Sequence, residues 1–427
     1  MDSLLRFIKK FIPRRLFDAL APIYHYLLAL AGAIVYRFPG RSLTVVLVTG
    51  TKGKSSTLEF MNAILEEAGH KTALVSTIRF KIGDKSEPNL FKMTLRGRFF
   101  LQRYLRRAVK AGCTHALIEM TSEGAKQYRH KWLFPDALIF TNLAREHIES
   151  HGSYEKYREA KLSIARELGT TTKPNPILVI NKDDAEARHF LELPRIAKKT
   201  TYSLSLAEPI KLEKSQSHII IESRAITLGV PGEFNIYNFL GAYVLAREWK
   251  IPFTTIKSGA EKLTRIAGRI ENVAAALPEI PFSVIVDYAH TPESLESLYK
   301  AFPSDRKICV LSGTGGGRDT WKRPVMGEIA DRYCDSIILT DEDSYDENPL
   351  KIVNEIKNGI TEHAPIIELD RRKAIRLAIN QANPSDVILL SGKGTDPYIM
   401  GPNGSKTPWS DARIAHEELA GYLAQKK

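Results

Sequence analysis

The stretch from Leu43 to Gly69 limits the possible folds most. A run of apolar β-formers, LTVVLVTG, leads without a spacer into the loop Gly50-Thr51-Lys52-Gly53-Lys54-Ser55-Ser56, and a helical stretch follows from Ser55 to Gly69. A strand with no polar alternation is buried on both faces, which places it inside a parallel sheet covered by helices. The loop then lies where the carboxyl end of a strand meets the N-terminus of a helix. Backbone N–H groups and the helix dipole can hold phosphate there, Lys54 can reach the terminal phosphates, and Ser55 can ligate Mg²⁺. The loop is shorter than the Walker form GxxxxGK(S/T), and read alone it could be a glycine turn with a helix-capping serine.

The alternation continues along the chain. TALVST, THALIEMTS, ALIFTNL and PILVINKDD are β-rich runs ending in polar residues, and a second series follows Arg269: FSVIVDYAH, KICVLSG, SIILTDED, APIIELD and DVILLSGKG. The expected fold class is α/β, with a P-loop-containing, parallel-sheet central ATPase domain over residues 43–265 and a Rossmann-like α/β C-terminal domain over residues 266–427. At 427 residues and 43% hydrophobic the chain can fill both cores. Functional residues are expected at the carboxyl ends of the strands.

Residues 1–42 form a separate, helical segment by pattern. Leu4, Leu5, Ile8, Phe11 and Ile12 recur at helical spacing with Arg6, Lys9 and Lys10 on the other side, a basic amphipathic helix that Pro13 ends. From Ala19 to Tyr36 there is no charge, though Pro22 and His25 interrupt the apolar run. Peripheral contact with the inner face of a membrane, packing on the protein's own body, and a span all remain open. A span would carry Arg6, Lys9, Lys10, Arg14 and Arg15 outward, against the positive-inside tendency. The net charge of +12 suits anionic partners. Nucleic acid is not expected, because no aromatic-basic motif is present. Cys113, Cys309 and Cys334 form no CxxC pair, so neither a disulfide framework nor a zinc site is expected, and a reducing cytoplasm fits.

Taken with later segments, the loop resembles that of the Mur ligases, GTxGKTT. IEMTSEG is similar to the family's MEVSSHG and brings Glu119 to the place of a Mg²⁺-ligating carboxylate. TNLAREHIESHGSYEKYREAK is similar to TNLxxDHLDYHGxxExYxxAK and carries His147 and Lys161. FNIYN at Phe234 is similar to FNxxN, GRIE at Gly268 to GRxE, and DYAHTP begins at Asp287. The resemblance runs from Val45 to Glu418. It implies an ATP site of Gly50, Thr51, Lys52, Gly53, Lys54, Ser55, Ser56, Asn235, Asn238, Arg269, Asp287 and His290. It implies catalytic roles for Lys54, Glu119, His147 and Lys161, and Mg²⁺ ligands Ser55, Glu119, His147 and Lys161, the last carbamylated by CO₂. The chemistry is coherent without the family. A carboxylate joined to an amine in water must be activated, phosphorylation by ATP supplies a leaving group, and cations and metal offset the charge repulsion.

On the substrate side, GAKQYR is similar to GLxQxR and implies muramyl-peptide contacts at Gln127 and Arg129, with Ser122 and Thr94 beside them. GTGGGRDTWKRPVMG is similar to GCGGDRDxxKRPxMG, which puts Arg318 on the α-carboxylate of the incoming amino acid. SGKGTDPY is similar to GKGHEDY and brings Gly392 and Asp396 to that amino acid. Diaminopimelate-adding members carry DNPR where this chain has Thr340-Asp341-Glu342-Asp343-Ser344-Tyr345-Asp346, so Tyr345 takes the arginine's position. With no cation there, Asp343 and its neighbours are expected to favour the ammonium of lysine or ornithine over diaminopimelate. The resemblance implies a cytoplasmic monomer that adds an amino acid, the third stem-peptide residue, to a muramyl dipeptide through an acyl phosphate. Only 49 residues precede Gly50, where ordinary members have a uridine-binding domain, so that pocket is expected to be missing or rebuilt. The alternatives are a folylpolyglutamate-synthase-like glutamate ligase and an inactive, membrane-associated scaffold.

Overall fold

The computed structural model describes residues 14–146, 151–303, 305–317 and 319–426, with side chains from residue 20 onward. The basic helix expected over residues 4–12 lies outside these described residues, as do His147 and Arg318. The chain forms two compact units. One comprises the chain up to Pro88, Met93–Leu204 and Asn238–Gly259; the other comprises Asn89–Lys92, Ser205–Tyr237 and the chain from Ala260 on.

Among the described residues of the first unit, eight strands form one sheet in the order β4-β3-β2-β5-β1-β6-β7-β8. They are β1 (Thr44–Thr49), β2 (Thr72–Val75), β3 (Arg79–Ile82), β4 (Lys85–Pro88), β5 (His115–Met120), β6 (Ala137–Phe140), β7 (Ile177–Asn181) and β8 (Lys198–Tyr202). From β2 to β8 the pairs are parallel, while β3 and β4 add an antiparallel hairpin at one edge. Val45, Val46, Leu47 and Val48 are all fully buried, as an uninterrupted apolar run in a central strand requires.

Helix α1 (Arg14–Val35) contains Pro22 without being ended by it. One face packs on the unit's own body beside α3 (Arg98–Lys110); α2 (Lys54–Glu67) lies between them in sequence. Arg106 donates to the carbonyls of Tyr36 and Arg37, each at 2.8 Å, and Tyr26 meets the edge of Tyr128 with ring centroids 6.0 Å apart. The opposite face leaves Leu20, Ile23, Tyr24, Leu27, Ile34 and Val35 exposed. Among the described residues no helix is long and apolar enough to cross a membrane, which removes the span over residues 19–36.

In the second unit β9 (Ile210–Leu212), β10 (Ser217–Ile221) and β11 (Arg224–Leu228) make a small antiparallel sheet. The main sheet runs β12-β13-β17-β14-β15-β16, with β12 (Glu271–Asn272), β13 (Ser283–Val286), β14 (Lys307–Leu311), β15 (Ser336–Leu339), β16 (Ile366–Ile367) and β17 (Val387–Leu390). It is parallel except for β12. Its strands alternate between two cores: Ile285, Cys309, Leu311, Ile337 and Leu389 face one, and Val284, Val286, Val310, Ile338 and Leu390 the other. The strand order reverses between β14 and β17, so the loops after them meet at a switch point, where open α/β sheets form their clefts.

The cysteine expectation is corrected here. Cys309 on β14 and Cys334, at the C-cap of the helix Lys322–Tyr333, are joined in a disulfide. Chain spacing hid this pairing, because strand and helix end become neighbours only when the helix folds back onto the sheet. Both cysteines are almost fully buried, which keeps reductants in solution from the bond.

Candidate active site

The phosphate loop closes β1 and opens α2 through close approaches that tolerate no side chain. Gly53, at φ +79°, caps α2, and a Cβ there would stand 2.1 Å from the Asn238 side-chain oxygen. A Cβ on Gly50 would stand 1.9 Å from Thr141 Oγ1. The end of β6 holds the loop from the side: Asn142 accepts the amides of Thr51 and Lys52 at 2.9 and 2.8 Å, and Thr141 donates to the Lys52 carbonyl at 2.7 Å. Lys52 pairs with Glu146 at 2.9 Å, and Lys54 donates back to the Thr51 carbonyl at 2.8 Å. Ser56 is buried in the first turn of α2.

Ser55 donates to Glu119 at 2.8 Å, at the adjacent ends of β1 and β5. The same carboxylate accepts the amide and the hydroxyl of Thr77, at 2.9 and 3.0 Å, and Thr77 meets the Thr94 hydroxyl at 2.7 Å. The pattern did not single out Thr77; its place at the polar end of TALVST was the available signal. A hydroxyl and a carboxylate beside a phosphate loop are hard oxygen donors, and Mg²⁺ typically takes one or two carboxylates together with substrate phosphates, so these residues fit that ion.

Lys161 on α5 (Tyr154–Arg166), with α4 (Ser122–Lys126) the preceding helix among the described residues, is almost fully buried and donates to the Gly50 carbonyl at 2.6 Å. Burial, reinforced by the Lys54 cation nearby, holds its amine well below the ordinary lysine range. Its helix also places Tyr157 on the Thr51 hydroxyl at 2.9 Å. Around α4, Ser122 is bonded to His151 at 3.0 Å, and Arg129 donates to the Gln127 side-chain oxygen at 2.7 Å and to the Leu95 carbonyl. Burial pushes the Arg129 guanidinium down to about 10. Thr94, Ser122, Gln127, Arg129, Lys54, Ser55, Glu119, Lys161 and Asn238 thus belong to one unit.

In the second unit Asn235 donates to the Pro231 carbonyl at 2.8 Å. Asp287, at the end of β13, accepts the amides of Ile270 and Ala289, each at 2.8 Å; burial raises its carboxyl, opposed by the Arg269 cation. Arg269 lies over the Tyr288 ring at 4.6 Å, and His290 donates to the Tyr288 carbonyl at 2.7 Å.

The loops after β14, β15 and β17 hold the remaining residues. Gly392, at φ +104°, passes so close to Glu342 that a Cβ would stand 2.2 Å from its carboxylate. Glu342 accepts the Ser312 hydroxyl at 2.6 Å, and the buried Arg371 ties Ser312, the Ser391 carbonyl and Asp411 together behind it. The expectation that no cation reaches Asp343 is corrected. Lys393 donates to one of its oxygens at 3.0 Å and Lys92 to the other. Burial works to raise the Asp343 carboxyl, but these two ammoniums outweigh it and hold it low. Asp396 lies 3.4 Å from Lys92 and 3.6 Å from Lys393.

Residues 48–246 match the Mur ligase middle domain, and residues 268–394 match the Mur ligase glutamate ligase domain. The chain is 34% identical over 424 residues to a UDP-N-acetylmuramyl-tripeptide synthetase of Roseiflexus, covering 92% of this chain and 82% of that protein. It is 34% identical over 400 residues to a UDP-N-acetylmuramoyl-L-alanyl-D-glutamate–2,6-diaminopimelate ligase of Caldanaerobacter subterraneus, covering 90% of this chain and 80% of that one. A solved diaminopimelate ligase superposes with a TM-score of 0.62 at 25% identity, covering 92% of this chain and 82% of that chain. Folylpolyglutamate synthase of Mycobacterium tuberculosis shares the fold, with a TM-score of 0.69 at 13% identity over 89% of this chain and 97% of that one. With similarity of this extent across both α/β units, and a phosphate loop, carboxylate and buried lysine gathered at neighbouring strand ends, the chain belongs to the Mur ligase family.

Proposed function

We propose that the protein joins an amino acid to the carboxylate of a muramyl dipeptide, converting ATP to ADP and phosphate and adding the third residue of the peptidoglycan stem peptide. The observation that carries this reading is the meeting of Lys54, Ser55, Glu119 and Lys161 around one glycine loop. In the first unit Lys54, with Asn238, offsets the charge of the nucleotide; from the second unit we assign Asn235, Arg269, Asp287 and His290 to ATP by their match to the family's motifs. Ser55, Glu119 and His147 would hold Mg²⁺, which would supply positive charge against the phosphates. Lys161, whose burial favours the neutral amine, would add its nitrogen to CO₂ with loss of a proton, and the carbamate would serve as an anionic ligand. The acceptor carboxylate, positioned by Thr94, Ser122, Gln127 and Arg129, takes the terminal phosphoryl group; the amine then attacks the acyl phosphate and phosphate leaves.

We assign the phosphate-binding loop to residues 43–265 and amino-acid binding to residues 266–427, where Arg318 holds the α-carboxylate and Asp343, Tyr345, Gly392 and Asp396 meet the side chain. The amino acid belongs to the lysine, ornithine or diaminopimelate class, and the site works in a cytoplasmic monomer, where ATP is supplied. Phosphate release that requires ATP, a muramyl dipeptide and an amino acid together is the expected result. Release indifferent to the dipeptide would overturn the assignment.

The exposed face of α1 supports peripheral attachment to an anionic membrane. Leu20, Ile23 and Leu27 are 50%, 59% and 56% exposed at helical spacing, while the neighbouring α3, RFFLQRYLRRAVK, carries five basic residues and no acid. Apolar area and cationic charge together suit an anionic lipid surface. The full chain should float with anionic vesicles at low salt and Leu27→Glu should float several-fold less. Equal recovery of both in the soluble fraction would reject the attachment.

A further inference from the structure

At the cleft of the second unit, two ammoniums and two carboxylates alternate. Lys393 is fully buried and fixed, bonded to Asp343 and, at 2.6 Å, to the Tyr398 carbonyl. Lys92 is different: its side chain is 21% exposed, and it bridges Asp343 and Asp396 from a segment about 250 residues earlier in the chain. Its ammonium lies 5.8 Å from the centre of the Tyr345 ring. Both Lys92, at φ +50°, and Tyr345, at φ +53°, hold left-handed backbone that side-chain-bearing residues rarely adopt. Such conformations persist where the surroundings fix them, and they gather at ligand sites.

We propose that Lys92 sets the amino-acid specificity of this site by receiving a carboxylate on the side chain of the incoming amino acid, whose side-chain ammonium goes to Asp396 and Asp343. The proposal rests on the ligase reading for its placement of the amino acid in this cleft. A lone ammonium, as in lysine, enters only by displacing Lys92 from its carboxylates and leaving like charges side by side. A side chain that ends in both an ammonium and a carboxylate exchanges partners without leaving either sign unpaired. Of the two lysines only Lys92 reaches solvent, so it is the one that can make this exchange. A 2,6-diamino diacid has the required end group, and the preference for lysine expected from the acidic loop is thereby reversed.

The test compares the full-length protein with Lys92→Met and Lys92→Arg, using phosphate release and calorimetric binding with meso-2,6-diaminopimelate and with L-lysine. The unaltered protein is expected to prefer the diamino diacid. Loss of one charge-assisted contact in Lys92→Met should raise its KM and Kd by about 10- to 100-fold. The KM for lysine should fall, because the competing cation is gone, and Lys92→Arg should recover most of the affinity for the diacid. Preference for lysine in the unaltered protein, an unchanged response to the diacid, or an equal rise for both amino acids would overturn the proposal. Calorimetry reads the contact whether or not ligation occurs. Lys92-dependent binding without turnover would therefore count against the ligase reading alone.

Discussion

Lys54→Ala is expected to lower ATP turnover by about three orders of magnitude while the protein stays folded. The lysine stands in the first turn of α2, and its ammonium turns back onto the Thr51 carbonyl at the rim of the loop. It is half-buried and stands outside the apolar cluster around β1, so its truncation is expected to cost the sheet little. On the proposed reading, however, it meets the charge developing on the transferred phosphoryl group, and an interaction that strengthens in the transition state acts on kcat. Phosphate release measured beside a thermal melt separates the two effects. Activity above about a tenth of the unaltered level, with an unchanged melt, would remove Lys54 from the chemistry.

Lys161→Ala is expected to be nearly inactive, by about two orders of magnitude or more, and partly rescued by formate or acetate. The structure warns against reading inactivity alone. Lys161 is buried and bonded to Gly50, so alanine leaves a cavity and an unpaired carbonyl that together cost about 1–3 kcal/mol of stability. Rescue by a small carboxylate distinguishes the roles, because an acid would restore the negative charge that the proposed carbamate brings to the Mg²⁺ site but not the bond to Gly50. CO₂-free buffer should likewise lower the activity of the unaltered protein, and bicarbonate should return it. Full activity without CO₂, together with no rescue of the alanine variant, would make Lys161 a structural residue.

What could be read in advance follows the range of the interactions. LTVVLVTG, THALIEMTS, ALIFTNL and PILVINKDD are strands because continuous apolar runs need burial on both faces, and all four lie side by side in the sheet. Arg79–Ile82, Lys85–Pro88 and Lys198–Tyr202 are strands too, yet they lie toward the edges, where charged side chains are tolerated and the apolar signal is lost. Glu119 and Lys161 could be named because each sits in a long local pattern. Thr77, the Cys309–Cys334 bond and the approach of Lys92 to Asp343 could not, since each depends on elements brought together by packing rather than by spacing. The two ammoniums on Asp343 show the consequence: the charge of a loop can be read from its residues, but the charge of a cleft also depends on what reaches in.

The central claim is that ATP activates the acceptor's carboxylate at the loop bearing Lys54, and one isotope measurement tests it most directly. The acceptor dipeptide is prepared with heavy oxygen in its reacting carboxylate, and the released phosphate is examined by mass spectrometry during turnover with ATP and the amino acid. If an acyl phosphate forms, one heavy oxygen passes from the carboxylate to each phosphate as the amide bond closes. Phosphate carrying no heavy oxygen, while ADP still accumulates, would show that the protein hydrolyses ATP without activating this carboxylate.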